Sequence, residues 1–216
     1  MTMPARVPRR AAPRRAAILE TARRLFTEQG IGPVTTNLIA QQAGISPGNL
    51  YYWFGSKAEI VRALFDDWTA RMSIPEELPS DPVDQLRWLW RRLVELPQPD
   101  PDYAFFLRDL FPLLHADPLL ATTYRSNHAV RRDRLAATMD GLVAAGLVQA
   151  PTPPTTTREL VDLVWLVTET AQPFAAALGE DRAQANHYAR TVAEALLTDE
   201  GRDALELAAR RTGSEQ

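Results

Sequence analysis

The residues best suited to chemistry lie in one short stretch, Ser46-Pro47-Gly48-Asn49-Leu50-Tyr51-Tyr52-Trp53. The chemistry they suit is recognition of a polyanion. Asn49 carries an amide that can pair with both polar atoms on an adenine edge. Tyr51 and Tyr52 set two phenol hydroxyls within the next turn, where backbone phosphates would lie. Ser46 can cap a helix start and donate to a phosphate at the same point. Pro47 occupies the favoured first helical position. Together with Gly48 and Asn49 it makes a small-profile turn that lets backbone approach a groove. Leu50 and Phe54, at i and i+4, supply the opposite, core-facing side. Adjacent exposed aromatics on a short helix are costly unless they meet something.

No comparable set points to catalysis. The three histidines, His115, His128 and His187, fall on separate predicted helices. There is no H-E-x-x-H, no Gly-rich phosphate loop and no G-x-S-x-G. The chain has no cysteine, which excludes disulfides, thiolate metal sites and cysteine nucleophiles. The acid pairs Asp66-Asp67 and Glu76-Glu77 read as solvated, because adjacent helical residues diverge. The expectation is a protein that is not an enzyme, with no cofactor and no metal site. No run reaches the roughly 18 apolar residues of a membrane helix. The arginine-bearing N-terminus has no apolar h-region. A cytoplasmic protein with no membrane partner is the default.

Several elements must position the stretch. Residues 1–13 hold three prolines and three arginines without apolar periodicity, which reads as a basic flexible arm. With Arg14, this arm suits phosphate or minor-groove contact, or it is a solvated tail. Ala16, Leu19, Ala22, Leu25 and Phe26 then recur at helical spacing up to Gln29, and Gly30 ends that helix. Thr35 or Thr36 can cap a short helix through Ala43, and Gly44 allows a sharp turn before Ser46. Two short helices joined by a glycine-containing turn form a helix-turn-helix pattern. An ordinary αα-corner shares that pattern, and the composition of the second helix separates the two. Ser56 and Glu59 form a capping box for a fourth helix reaching Met72. Lys57 in its first turn opposes the helix dipole, a conflict that a nearby phosphate would relieve. Charge agrees: residues 1–71 hold 10 Lys+Arg against 5 Asp+Glu, while the rest holds 14 against 22. A basic front on an acidic body suits a polyanion at the front.

Residues 14–62 resemble the DNA-binding domain of the TetR/AcrR family of bacterial transcriptional regulators. RRAAILETARRLFTEQG, TTNLIAQQAGIS and above all GNLYYWFGSKAEI carry the resemblance. It implies that Thr36, Ser46, Tyr51, Tyr52 and Lys57 touch the DNA backbone, with Pro47, Gly48 and Asn49 nearest the bases. Thr35 and Arg14 complete the candidate DNA-facing set. Trp53 stands where the family often has histidine or tyrosine. Its indole donates one hydrogen bond and accepts none, so it suits either a phosphate contact or packing between domains.

After a connector at 74–82, prolines punctuate further helices at about 81–96, 101–115, 117–146, 156–178 and 181–198, with a terminal helix to about Arg211. Pro112 and Pro173 fall inside helical patterns and should kink them. The body is aromatic-rich. Large rings can fill a core or line a cavity. Because family members commonly bind small effectors in this region, the resemblance implies a lining drawn from Trp68, Trp88, Phe106, Leu110, Tyr124 and Trp165. Glu169 can bond that ligand or cross an interface to an arginine. The segment Leu160–Val167 is apolar almost all round, so it must be buried on more than one side. Small residues in the following helix permit close helix approach. The expected dimer interface is a four-helix pairing through Leu160, Val164, Val167, Ala185, Ala189, Val192 and Leu196, with an intramolecular core as the competing use of either helix.

The expected fold is all-α: an N-terminal three-helix helix-turn-helix domain (14–60) and a C-terminal helical ligand-binding and dimerisation domain (61–216). The expected function is a homodimeric DNA-binding regulator, a repressor released from a palindromic double-stranded operator by a small apolar or aromatic effector. A helical ligand-binding or protein-interaction module without sequence-specific DNA binding is the alternative.

Overall fold

A computed structural model describes residues 11–72, 74–75, 77–95 and 101–212. The arm expected over residues 1–13 lies outside the described residues as far as residue 10. Among the described residues ten α-helices run in order: α1 Ala11–Gln29, α2 Thr36–Gln42, α3 Pro47–Trp53, α4 Lys57–Arg71, α5 Pro82–Trp90, α6 Ala104–Ala116, α7 Pro118–Ala144, α8 Thr157–Ala177, α9 Arg182–Ala195 and α10 Asp199–Thr212. A π-helical segment, Arg91–Glu95, follows α5, and a 3-10 turn, Pro101–Tyr103, precedes α6. Both α6 and α8 run on through their internal prolines, Pro112 and Pro173. The chain divides into two compact units, residues 1–72 with 99–121, and residues 73–98 with 122–216.

Side-chain oxygens set most helix starts by accepting backbone N–H groups that have no partner within the helix. Thr35 accepts from Leu38 N, Ser46 from Asn49 N and Ser56 from Glu59 N, each at 3.2 Å. The Ser56–Glu59 box forms only in part. Glu59 Oε2 accepts from Gly55 N at 2.9 Å, one residue ahead of the cap. A full reciprocal box closes instead at Thr156 and Glu159, the start of α8.

The first unit is built on α1. Ile18, Ala22, Leu25 and Phe26 are buried, whereas Ala16 is exposed, so the core stripe enters at Ile18. Leu50 and Phe54 close the core from α3, and Ile60, Val61, Leu64, Phe65 and Trp68 from α4. Aromatic rings continue it: Phe26 meets Phe105 edge-on at 5.6 Å, and Phe65 meets Phe106 at 5.5 Å. The unit that holds the helix-turn-helix therefore also contains α4 and α6, well past residue 60. Polar contacts hold its outer edge. Tyr103 is buried and its hydroxyl donates to Asp67, so Asp67 is not merely solvated. Arg23 pairs with Asp102 at 2.5 Å.

Asp117 serves both α4 and α7. Its Oδ1 accepts from Leu119 N at 3.0 Å and Leu120 N at 3.2 Å, and its Oδ2 accepts from Arg62 at 2.6 Å. Burial pushes the Asp117 carboxyl up. The Leu120 N–H, the Arg62 guanidinium and the Leu119 N–H outweigh it, so the net shift is below the ordinary value of 3.8. A depressed carboxylate contributes stability that is present above the unfolded pKa and lost as pH falls through the folded one. Asp117→Ala removes the cap and strands Arg62, at an expected cost of about 2–3 kcal/mol near neutral pH. Urea unfolding at pH 7 and at about pH 3 checks both points: the gap between wild type and variant should shrink in acid.

In the second unit Leu86, Leu89, Leu142, Leu147, Val148 and Leu197 form a core, with Trp88 and Trp90 packed against it. An isolated antiparallel bridge joins Val148 and Leu197, with Gln149 N donating to Leu196 O at 2.8 Å. Gly201 lies against this bridge, and an added Cβ would sit 2.1 Å from the Leu147 carbonyl oxygen. Backbone cannot yield as a flexible side-chain tip can. Gly201→Ala should therefore cost about 1–3 kcal/mol, read as a lower urea midpoint. A stability equal to wild type would show that the start of α10 moves freely.

Candidate nucleic-acid interface

The α2–α3 turn is set by backbone geometry. Gly44 has φ +65°, a conformation that favours glycine. Ile45 N donates to Ala40 O at 3.0 Å and Gly44 N to Gln41 O at 3.1 Å, the paired bonds of a Schellman ending. Ser46 then caps α3, with Pro47 in its first turn.

This turn gives α3 one buried and one exposed face. Leu50 is 0% exposed and Phe54 2%, while Tyr51 is 51% and Tyr52 80% exposed. Pro47, Gly48 and Asn49 are also exposed. A Cβ on Gly48 would meet nothing within 4 Å, so packing within the protein does not require a glycine there. Thr36 Oγ1 and the Tyr51 hydroxyl lie 3.2 Å apart and tie α2 to α3. Thr35 and Ser46 use their oxygens as acceptors, and each hydroxyl proton remains available for a phosphate. Arg14, Asn49, Tyr52 and Trp53 line a shallow recess on this surface.

Trp53 is half-buried, and its indole N–H donates to Asn49 Oδ1 at 3.2 Å. It also meets Tyr52 edge-on at 5.1 Å. The structure thus links Trp53 to the proposed base reader. Sequence reasoning overlooked Arg15, whose guanidinium lies 4.9 Å over the Phe54 ring. Nothing in the local periodicity identifies that contact.

Lys57 departs from the expectation. Its ammonium donates to the carbonyls of Ile31 at 2.7 Å, Val34 at 2.8 Å and Gly32 at 3.1 Å. Three donors are all a lysine has. The conflict with the helix dipole is thus resolved inside the protein, by the loop joining α1 to α2, without a phosphate. Desolvation pulls its pKa below the ordinary value.

The aromatic residues assigned to ligand binding separate into distinct sets. Trp68 stacks on Phe106 at 5.3 Å within the first unit, and Leu110 is buried there. Trp88 packs on the α5 core of the second unit. Also in that unit, the Tyr124 hydroxyl donates to Glu169 at 2.7 Å. Tyr124 stacks on His128 at 6.0 Å, and His128 meets Trp165 at 4.5 Å. Burial, then the Glu169 charge, push the Tyr124 hydroxyl pKa up.

Of the expected interface residues, Leu160, Val164, Val167, Ala189, Val192 and Leu196 are half-buried in the chain. Ala185 is a correction: it is 1% exposed and packs on Ala171 and Ala175. Its small side chain brings α8 and α9 together within one chain. Trp165 faces α7, while Leu163, Leu166, Phe174 and Leu178 are 50–57% exposed along α8 and its end. Among the described residues no cluster of three or more His, Asp or Glu is placed to hold a metal, and no helix is long and apolar enough to cross a membrane.

The comparisons agree with this geometry. Residues 18–64 match the model for bacterial regulatory proteins of the tetR family, and residues 70–205 match one described as bacterial transcriptional repressor. The chain is 38% identical over 88 residues to the regulator TtgR of Pseudomonas putida, covering 38% of this chain and 40% of that protein. It is 38% identical over 81 residues to the repressor KstR2 of Mycobacterium tuberculosis, again covering 40% of that protein. The chain thus matches about two fifths of the length of these curated relatives. A crystal structure of a TetR-family regulator from Marinobacter aquaeolei VT8 is similar over 92% of this chain and 97% of that one, at 30% identity and a TM-score of 0.69. Another from Haloarcula marismortui shares the fold at 21% identity and a TM-score of 0.70, over 87% of this chain. An all-α fold, a capped helix-turn-helix with an outward polar face and two family matches that together span most of the chain lead to one conclusion: this chain belongs to the TetR family of bacterial regulatory proteins.

Proposed function

We propose that this chain is a repressor that binds a palindromic operator as a homodimer and is released by a small effector. The observation that carries the reading is the division of α3. Leu50 and Phe54 lock it into the core, and Asn49, Tyr51 and Tyr52 are left outside. Two such helices enter successive major grooves about 34 Å apart. Asn49 reads a base edge. Thr36, Ser46, Tyr51 and Tyr52 contact phosphates, and Arg14 extends the contact toward the arm. Lys57 positions the loop before α2.

Exposed Leu163, Leu166 and Phe174, spaced three and eight residues apart, form one face of α8. We assign this face, with the half-buried residues beside it, to pairing with a second copy. A two-fold dimer doubles the length of DNA read. The effector shifts the population between two half-site separations, by no more than its difference in affinity for them. The α7–α8 set of Tyr124, Trp165 and Glu169 contacts it, and α4 carries the shift to the reader.

Selection from randomised duplexes, followed by anisotropy titration across salt, tests the DNA reading. Asn49→Ala should change the preferred base at one position per half-site, at about 1–3 kcal/mol. Tyr51→Phe should weaken all sequences alike. A preferred sequence unaltered by Asn49→Ala removes that residue from base readout. Affinity insensitive to salt would instead favour a protein-interaction module.

A further inference from the structure

Arg131 projects from the middle of α7, with its guanidinium carbon 4.5 Å from the centre of the Trp165 ring on α8. Its Nε is buried and has no hydrogen-bond partner. Other arginines of α7 are engaged. Arg132 reaches Asp162 at 3.4 Å, Arg134 donates to the carbonyls of Ile74 and Pro75, and Arg125 reaches Thr122. Glu169, the acid whose charge Arg131 feels, accepts from the Tyr124 hydroxyl. The positive charge of Arg92, in the π-helical segment, also acts on Arg131.

An arginine cannot escape this situation by losing its proton. A buried charge without an acceptor is costly. The Trp165 ring stabilises the cation from one face, and the N–H groups lie in the guanidinium plane, away from that face. A carboxylate in that plane is the partner whose geometry matches them.

We propose that Arg131 binds the carboxylate of a small ligand, with Arg92 reinforcing the charge and Trp165 and His128 contacting the apolar part. This deepens the effector reading above and rests on it: the effector class becomes a monocarboxylic acid with an aromatic or alkyl body. Glu169, whose charge reaches Arg131, already accepts from Tyr124, and the half-buried position of Arg131 between α7 and α8 favours a small molecule over an acidic side chain of a second copy.

Calorimetric titration of the full-length protein with 2-naphthoate and octanoate, each against its uncharged amide, tests the assignment. At least one acid should bind about tenfold or more tightly than its amide. The preference should vanish in Arg131→Met and return in part in Arg131→Lys. Ligand-free Arg131→Met should melt no lower than wild type, because it loses a buried N–H that has no acceptor. The proposal is overturned by amides that bind as well as acids, by no acid binding up to about 10 mM, by a preference that survives Arg131→Met, or by a variant that melts several degrees lower. Conversion of Arg131→Met to monomers in sedimentation also overturns it, by making a second copy the partner. Acid binding that leaves DNA bound supports the site and defeats the release mechanism. Release by an uncharged ligand, equal in Arg131→Met, does the reverse.

Discussion

Lys57→Met should lower the stability of the folded chain by about 2–4 kcal/mol, while the salt dependence of DNA binding stays that of wild type. The three carbonyls that share the ammonium come from Ile31, Gly32 and Val34, and Ile31 and Val34 are buried. Methionine keeps the apolar stem and removes all three donors. Hydrogen bonds to a charged group contribute about 1.5–3 kcal/mol each, and they do not add fully when they share one atom. The loop they hold leads directly into Thr35 and α2, so operator affinity should also fall. The salt slope separates this positioning role from a phosphate contact. A lysine on a phosphate contributes about 0.9 to the slope of log K against log salt. A lysine held by three carbonyls contributes none. A slope reduced by about 0.9 for each protomer would return Lys57 to the DNA-contacting set.

Leu166→Glu, combined with Phe174→Glu, should give monomers in sedimentation and reduce operator affinity about 100-fold or more. Both residues are more than half exposed in the single chain, so the fold itself should lose little. A charge placed on an apolar pairing face must be desolvated when the face closes, without a partner. When a dimer engages two half-sites, binding at the second becomes intramolecular, and avidity exceeds single-site affinity by about 10²–10⁴. The control is Val130→Glu on α7, at a position 61% exposed, which should leave the dimer intact. An intact dimer in the double variant would remove this face of α8 from the interface. Trp165 is a poor probe of the same question, because its contacts with His128 and Arg131 make any substitution there a change to the inside of the unit.

How much of this was legible beforehand divides by distance along the chain. The helix starts at Thr35, Ser46 and Ser56 follow from side chains within three residues of the N–H groups they accept. The turn at Gly44 and the core face of α3 follow in the same way. At α8 the periodic signal failed. Leu160, Val161, Leu163, Val164, Trp165, Leu166 and Val167 are nearly all apolar, so no phase could be read from them. Which face turned to α7, to α9 or outward depended on neighbours from other parts of the chain. Small residues misled for a related reason. Alanines spaced along α9 permit close approach to any helix, and Ala185 meets α8 of its own chain.

By itself the sequence determined the all-α class, nearly every helix boundary and the reader with its exposed polar tips. Those features arise from caps, turns and periodicity, which act over about four residues and so are written in consecutive letters. Only the tertiary structure decided that Lys57 holds a loop, that Asp117 joins α4 to α7, that α6 packs with the reader and that Arg131 lies on Trp165 without an acceptor. Each of these depends on which groups lie within a few ångströms after folding. Residues 23 to 55 positions apart meet there, and no local pattern specifies which side chain will satisfy which charge.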